Sequence, residues 1–176
     1  MDKAQFLNML LESYSHRYDI SRDVTAGGQT FPAVADYYLR DENYLLSRQH
    51  VLSTVESFEY VYFVLADHLD AATLSQQLRL TLELGKSRVR PSRTHMCSYV
   101  TLVVLADTIE PEAQRLLRRT RYRKNFRLAL HGWMEYRVAA VEFSTASFFS
   151  NPPGKGVRQH LEQNYRLQAN KQKGDH

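Results

Sequence analysis

The chain has 176 residues, 43% of them hydrophobic, and a formal net charge of +4, which favours one domain built around one core. Its longest apolar runs, VYFVLA and LVVLA, are too short to cross a bilayer, and its first residues lack the apolar core of a secretory signal. The single cysteine, Cys97, excludes an internal disulfide and suits a reducing compartment, so we expect a cytoplasmic protein with no membrane among its partners.

The chain begins with a predicted helix, followed by strands. Apolar residues recur at helical spacing from Phe6 to Tyr14, and Asp2 is placed to cap the helix. From Ala33 to Leu65 the pattern changes to β-branched and aromatic residues, in the segments AVADYYL, YLLSRQHVL and SFEYVYFVL. We interpret these segments as three successive antiparallel strands.

Two similar strand-to-helix units come next. Residues 60–74 (YVYFVLADHLDAATL) and 100–114 (VTLVVLADTIEPEAQ) match at a shift of 40 residues, and each apolar strand leads into an acidic helix cap, Asp70 or Glu110. The helix of the first unit, the second helix of the chain, is predicted to end at Gly85. Two apolar strands, each followed by a helix, predict a sheet covered by helices on at least one face. The match is explained either by a twofold duplication or by generic strand–turn–helix chemistry.

The last part of the chain predicts a hairpin and a helix. NFRLALHG and WMEYRVAAVEF read as two strands about Gly132, and NPPGKG precedes a helix with Val157, Leu161 and Tyr165 on one stripe. The predicted order is α-β-β-β-α-β-α-β-β-α, an α+β fold with helices packed on a mixed sheet. We assign residues 1–168 to one domain and predict that the polar residues 169–176 form a disordered tail.

The positive charge is concentrated in one part of the chain. Residues 1–85 hold six Lys/Arg and twelve Asp/Glu, whereas residues 86–127, here called the basic stretch, hold eleven and three. Such an asymmetry steers charged partners. Arginine predominates, and its planar fork suits bidentate contact with phosphate.

The basic stretch comprises two segments, one before the strand at 97–106 and one after the helix that follows it. If the strands are parallel, both segments lie at the amino-terminal end of the sheet. The candidate phosphate-binding or nucleic-acid-binding residues are Arg88, Arg90, Arg93, Arg115, Arg118, Arg119, Arg121, Tyr122, Arg123, Lys124 and Arg127. Alternatively, these cations pair with the acidic half, within the chain or in a homodimer, or keep the surface soluble.

Asp67 and Asp107 end the two equivalent strands. The carboxyl ends of parallel strands are where open α/β sheets place their ligands, and two carboxylates there suit Mg²⁺. The ordinary role of such aspartates is to accept hydrogen bonds from nearby backbone amides. A metal-dependent phosphodiester- or nucleotide-processing enzyme is therefore an alternative function, with Glu56 or Glu59 assisting, and Mg²⁺ is a cofactor only in that case.

The opening order α-β-β-β-α-β resembles the core of restriction-endonuclease-like nucleases. That family carries an acid on its second strand and an acid–x–Lys on its third. Here the third strand offers Glu56 and Glu59, and no lysine occurs between Lys3 and Lys86. The resemblance therefore covers topology and lacks the motif.

Other motifs predict no metal site. The seven histidines lack the short spacings of zinc ligands, and no nucleophile motif occurs. In HGWMEYR, Glu135 and Arg137 lie on one face of a predicted strand. This placement fits either a buried ion pair or a functional site.

The segments SYSHRYDI, VVLADTI and RYRKNFRLALHGWMEYRVAAVE resemble a family of small uncharacterised bacterial proteins, which implies no activity. Our leading hypothesis is a non-enzymatic protein that binds nucleic acid or another polyanion. The alternatives are the metal-dependent enzyme and a structural homo-oligomer in which an acidic half meets a basic stretch.

Overall fold

The computed structural model describes residues 2–45 and 52–174, and these form one mixed β-sheet with helices on both faces. The elements are α1 (Lys3–Tyr14), β1 (Asp19–Ala26), β2 (Gln29–Leu45), β3 (Leu52–Leu69), α2 (Ala71–Arg88), β4 (His95–Ile109), α3 (Pro111–Arg119), β5 (Arg123–Asn125), β6 (Trp133–Glu142), β7 (Ser147–Ser150), a 3-10 turn (Pro152–Gly154) and α4 (Lys155–Gly174).

The sheet order is β1-β2-β3-β4-β6-β5, with β7 also paired to β6. The central strands β3, β4 and β6 run parallel, and the outer pairings are antiparallel. Apolar residues of α2 and α3 pack on one face of the sheet, and those of α1 and α4 pack on the other. The predicted α+β class with a mixed sheet is therefore confirmed, and both faces are covered.

The opening strands differ from the prediction in position. The structure has β1 at Asp19–Ala26, ahead of the first predicted strand, and it forms a hairpin with β2. Because β1 lies at the edge of the sheet, its residues alternate only weakly between buried and exposed. The apolar pattern of a strand is therefore faint in its sequence. The predicted middle strand, residues 44–52, falls mainly on residues 46–51, which lie outside the described part of the chain.

The 40-residue shift between the two similar strand-to-helix units equals the register between the paired strands β3 and β4. From Ser57 opposite Cys97 to Leu69 opposite Ile109, each paired residue of β3 faces the residue 40 positions later on β4. Asp70 caps α2 by accepting a hydrogen bond from the Thr73 N–H. Similar sequences thus lie side by side, with equivalent positions in contact.

The predicted end of the second helix is wrong. α2 continues to Arg88, and Gly85 lies inside it rather than after it. A Cβ at this position would lie 2.3 Å from Val100 Cγ2 on β4. Glycine is needed here because the helix approaches the sheet closely. In the sequence, such a glycine cannot be distinguished from one that ends a helix.

The carboxyl-terminal part also differs in detail. The hairpin about Gly132 is present, but its first strand is only Arg123–Asn125, and the residues predicted as strand form a turn. β7 was not predicted. α4 extends through Gly174, where a disordered tail was expected from residue 169, and residues 175–176 lie outside the described part.

Within the described ranges, no helix is long and apolar enough to cross a membrane.

Candidate functional site

The two segments of the basic stretch meet at the amino-terminal end of the parallel strands, which we call the basic end. β4 and β6 run parallel, so the residues that precede these two strands lie at the same end of the sheet. The His95 ring nitrogen Nδ1 lies 2.7 Å from the His131 carbonyl oxygen, and Lys86 Nζ lies 5.9 Å from the Tyr122 ring centroid. The expected gathering of the two segments is therefore present.

Four cations of the basic stretch have acidic partners. The Arg88 guanidinium donates two hydrogen bonds to Asp36, of 2.8 and 2.5 Å, and lies 4.0 Å from the centre of the Tyr60 ring. The other pairs are Lys86 with Glu83 at 2.7 Å, Arg115 with Glu112 at 2.5 Å, and Arg123 with Glu135 at 3.6 Å. Arg88 is half-buried and holds α2 to β2, so it serves the fold.

Seven cations remain exposed without a carboxylate in ion-pair distance among the described residues: Arg90, Arg93, Arg118, Arg119, Arg121, Lys124 and Arg127. Arg90 donates to the Ser87 carbonyl at 2.6 Å, and Arg121 donates to the Arg118 carbonyl at 2.7 Å. These two arginines thereby satisfy carbonyls at the ends of α2 and α3. Each helix end carries only about half a negative charge, so most of the positive charge at the basic end is uncompensated.

Tyr122, the aromatic candidate of the basic stretch, is less available for stacking than expected. Tyr122 and Phe126 are partly buried and pack against the core on the α2 and α3 face. Trp133 lies at the start of β6, with the Arg123 guanidinium 5.2 Å from its ring centre. Trp133, partly buried like Tyr122, is therefore a further aromatic side chain beside the basic stretch.

The structure brings Asp67 and Asp107 together, but with a lysine between them. Lys3 Nζ, on α1, lies 2.5 Å from an oxygen of each aspartate. The hydrogen bonds to Asp107 and Asp67 raise the pKa of Lys3, and the hydrogen bond from Lys3 lowers the pKa of Asp67. The pair of carboxylates is thus held by a cation that belongs to the chain.

Glu56 and Glu59 do not join these aspartates, contrary to expectation. Glu59 precedes Asp67 by eight residues of β3, which places it about 26 Å away in an extended strand. Within the described residues, no group of three or more His, Cys, Asp or Glu side chains is arranged to hold a metal ion. Glu56 accepts hydrogen bonds from Thr94 and Tyr38, and these lower its pKa.

A buried polar cluster around Glu59 was missed by sequence analysis. Glu59 is 9% exposed. One of its oxygens accepts a hydrogen bond from Thr101 at 2.6 Å, and the other accepts one from Tyr18 at 2.8 Å. Burial, with Glu59 nearby, raises the pKa of Tyr18, so the phenol stays protonated as a donor.

Arg137 completes this cluster. Its Nη1 lies 3.6 Å from Glu59, and its guanidinium carbon lies 3.3 Å from the Tyr99 ring centre. The motif HGWMEYR therefore does contribute a partly buried ion pair, but Arg137 pairs with Glu59, while Glu135 pairs with Arg123. Glu135 and Arg137 lie on one face of β6. Glu135 reaches Arg123 on the adjacent strand β5, whereas Arg137 reaches across β4 to Glu59 on β3.

The cluster forms the floor of a cavity of about 520 Å³ between the end of α1 and the start of α4, here called the polar pocket. Its walls include Arg17, Tyr18, Val157 and His160. His160 lies 3.2 Å from the Ser13 hydroxyl, and burial lowers the pKa of its imidazole. No local signal marks this pocket, because its residues come from α1 and the residues after it, the strands β3 and β6, the 3-10 turn and α4.

The sequence matches the model of one protein family, described as Domain of unknown function (DUF8052), over residues 2–163. No curated protein matches it. The match agrees with the resemblance to an uncharacterised family.

Proposed function

The chain belongs to the DUF8052 family, a domain of unknown function, and we propose that it binds a phosphate-rich polyanion with the basic end. The simplest such polyanion is nucleic acid. In this proposal the protein performs no chemistry on its partner. Arg93, Arg118, Arg119, Lys124 and Arg127 contact phosphates, and Trp133 offers a surface on which a base stacks.

The observation that carries the proposal is the surplus of unpaired charge at one end of the sheet. Seven exposed cations from two distant segments lie there without acidic partners among the described residues. Six of the seven are arginines, whose guanidinium forks bind phosphate oxygens in pairs. Cations that serve only for solubility have no reason to gather at one end.

The metal-dependent alternative receives less support from the same geometry. Lys3 donates to both Asp67 and Asp107, so a divalent cation at these carboxylates would have to displace a bound ammonium group. Glu56 and Glu59 lie eleven and eight residues before Asp67 on β3 and supply no further ligand.

The test is fluorescence anisotropy of labelled single-stranded DNA, duplex DNA and RNA over a series of salt concentrations. The test variant is Arg93→Gln/Arg119→Gln/Lys124→Gln, and the matched control is Arg79→Gln/Arg166→Gln/Lys171→Gln, which removes the same charge from exposed positions on α2 and α4. On single strands the log–log salt slope is about −0.7 per phosphate neutralised. We expect the test variant to reduce its magnitude by about 2, whereas the control keeps the wild-type slope.

Two results would contradict the proposal. One is the absence of binding by the wild-type protein at low salt. The other is an equal loss in the test and control variants, which would attribute binding to net charge alone.

A further inference from the structure

The polar pocket contains more positive than negative charge. Arg17 and Arg137 line it with Glu59 as the one carboxylate among its lining residues. With His160 neutral, as its lowered pKa favours, two guanidinium groups and one carboxylate leave one net positive charge. Gly156 and Val157, in the first turn of α4, also line the pocket, and backbone N–H groups of a first turn add partial positive charge.

Glu59 is already fully engaged within the protein. Its two oxygens accept hydrogen bonds from Thr101 and Tyr18, and Arg137 lies beside it. These contacts fix the carboxylate in place. Glu59 therefore orients Arg137 and leaves the other charges of the pocket without a partner.

Arg137 has hydrogen-bonding capacity to spare. Its Nε is buried and has no hydrogen-bond partner in the part of the chain that the structure describes. The contact with the Tyr99 ring fixes the plane of the guanidinium. The Arg137 side chain as a whole is 23% exposed, so its guanidinium group is open to an oxygen ligand that enters the pocket.

Arg17 supplies the second cation that lines the pocket. It follows α1 and is exposed, and none of the acidic side chains in the described ranges lies within ion-pair distance of it. Two guanidinium groups that converge on one cavity form a clamp for an oxyanion. The cavity, about 520 Å³, is far larger than an oxyanion alone and falls within the range of small-molecule sites.

We propose that the polar pocket binds a small organic molecule through one oxyanion group, a carboxylate or a phosphate, held between Arg137 and Arg17. The side chains of Tyr18 and His160 contact the remainder of the ligand. This site is separate from polyanion binding, since its cations are not those of the basic stretch.

The test is a titration with three probes: inorganic phosphate, adenosine 5′-monophosphate and benzoate. Binding is followed by the ¹H–¹⁵N resonance of the Arg137 Nε–H group, which is assigned by its loss in Arg137→Lys. We expect a saturable shift of this resonance with at least one organic probe, and the probe that binds identifies the oxyanion class. Inorganic phosphate reports the contribution of the oxyanion alone.

Variants separate binding from a structural role. Arg17→Gln removes an exposed side chain, so the protein keeps its fold, and we expect about tenfold weaker binding, by calorimetry as well as by the resonance shift. Arg79→Gln, an exposed arginine on α2, is the control and keeps the wild-type dissociation constant. The proposal is overturned if no probe shifts the Arg137 resonance up to about 10 mM, or if Arg17→Gln binds the probes as the wild type does.

Discussion

At the residue scale, Asn151 shows how one side chain joins several elements. It is completely buried, and all of its hydrogen-bonding groups are used. Its Oδ1 accepts from the backbone N–H of Val138 and of Gly154, both at 2.9 Å. Its Nδ2 donates to the carbonyls of Thr120 at 3.2 Å and Tyr136 at 3.0 Å. Asn151 thereby connects β6, the end of α3 and the turn that precedes α4.

This arrangement predicts that Asn151→Asp lowers the free energy of unfolding by about 3 kcal/mol or more. The carboxylate keeps both acceptor contacts but places an oxygen against two carbonyl oxygens. Urea denaturation of the wild type and the variant measures the difference. The control is Asn170→Asp, an exposed position on α4, which should change the value by less than about 0.5 kcal/mol. Equal effects of the two substitutions would show that the Asn151 hydrogen bonds contribute little.

At the element scale, the contact between α2 and β4 depends on a residue without a side chain. A Cβ at Gly85 would lie 2.3 Å from Val100 Cγ2 and 2.5 Å from Val100 Cγ1. Both atoms belong to a buried valine in the middle of the sheet. The distance between helix and sheet is therefore set by Gly85 and Val100 together.

We expect Gly85→Ala to destabilise the protein by about 1–3 kcal/mol through overpacking, although alanine is the better helix former by about 1 kcal/mol. In the background of Val100→Ala the same substitution should cost less, because the smaller side chain leaves room for the new methyl group. A double-mutant cycle measured by thermal or urea denaturation gives this coupling. Gly156→Ala is the matched control, since a Cβ there meets no atom within 4 Å. Strict additivity of Gly85→Ala and Val100→Ala would refute the packing argument.

At the scale of the whole molecule, the charges and sheet edges favour a monomer over the structural homo-oligomer. Part of the acidic half pairs with cations of the same chain, as in Asp36 with Arg88 and Glu59 with Arg137. The edge strand β1 exposes Arg22 and Asp23, and Asp23, with φ of 51°, interrupts its pairing with β2. The other edge is formed by β5, three residues long, and β7, four residues long. Short, charged or interrupted edges oppose strand addition.

We therefore expect light scattering to give the mass of one chain at about 0.05 M and about 1 M salt alike. The control is the variant Arg93→Gln/Arg119→Gln/Lys124→Gln, which should also be monomeric under both conditions. A dimer that forms in low salt and dissociates in high salt would instead support assembly through the acidic half and the basic stretch.

The sequence by itself determined the order of most elements, because their signals are local. The apolar stripe of α1, the Asp70 cap and the apolar strands β3 and β4 each depend on residues a few positions apart. The strand β1 escaped because it lies at the sheet edge and only Ile20, Val24 and Ala26 are partly buried, which leaves little alternation in its sequence. The location of the basic end was also predictable, since it follows from parallel strands.

Only the tertiary structure decided which charged side chains are exposed and free to bind a ligand. Arg88 and Arg93 look equivalent in the sequence, yet Arg88 meets Asp36 across 52 residues of chain and Arg93 remains exposed. The polar pocket likewise required α1 and α4 to cover the sheet beside Glu59 and Arg137. The physical reason is that ion pairing and burial depend on strand register and on helix packing across the sheet. Neither is encoded in the spacing of neighbouring residues.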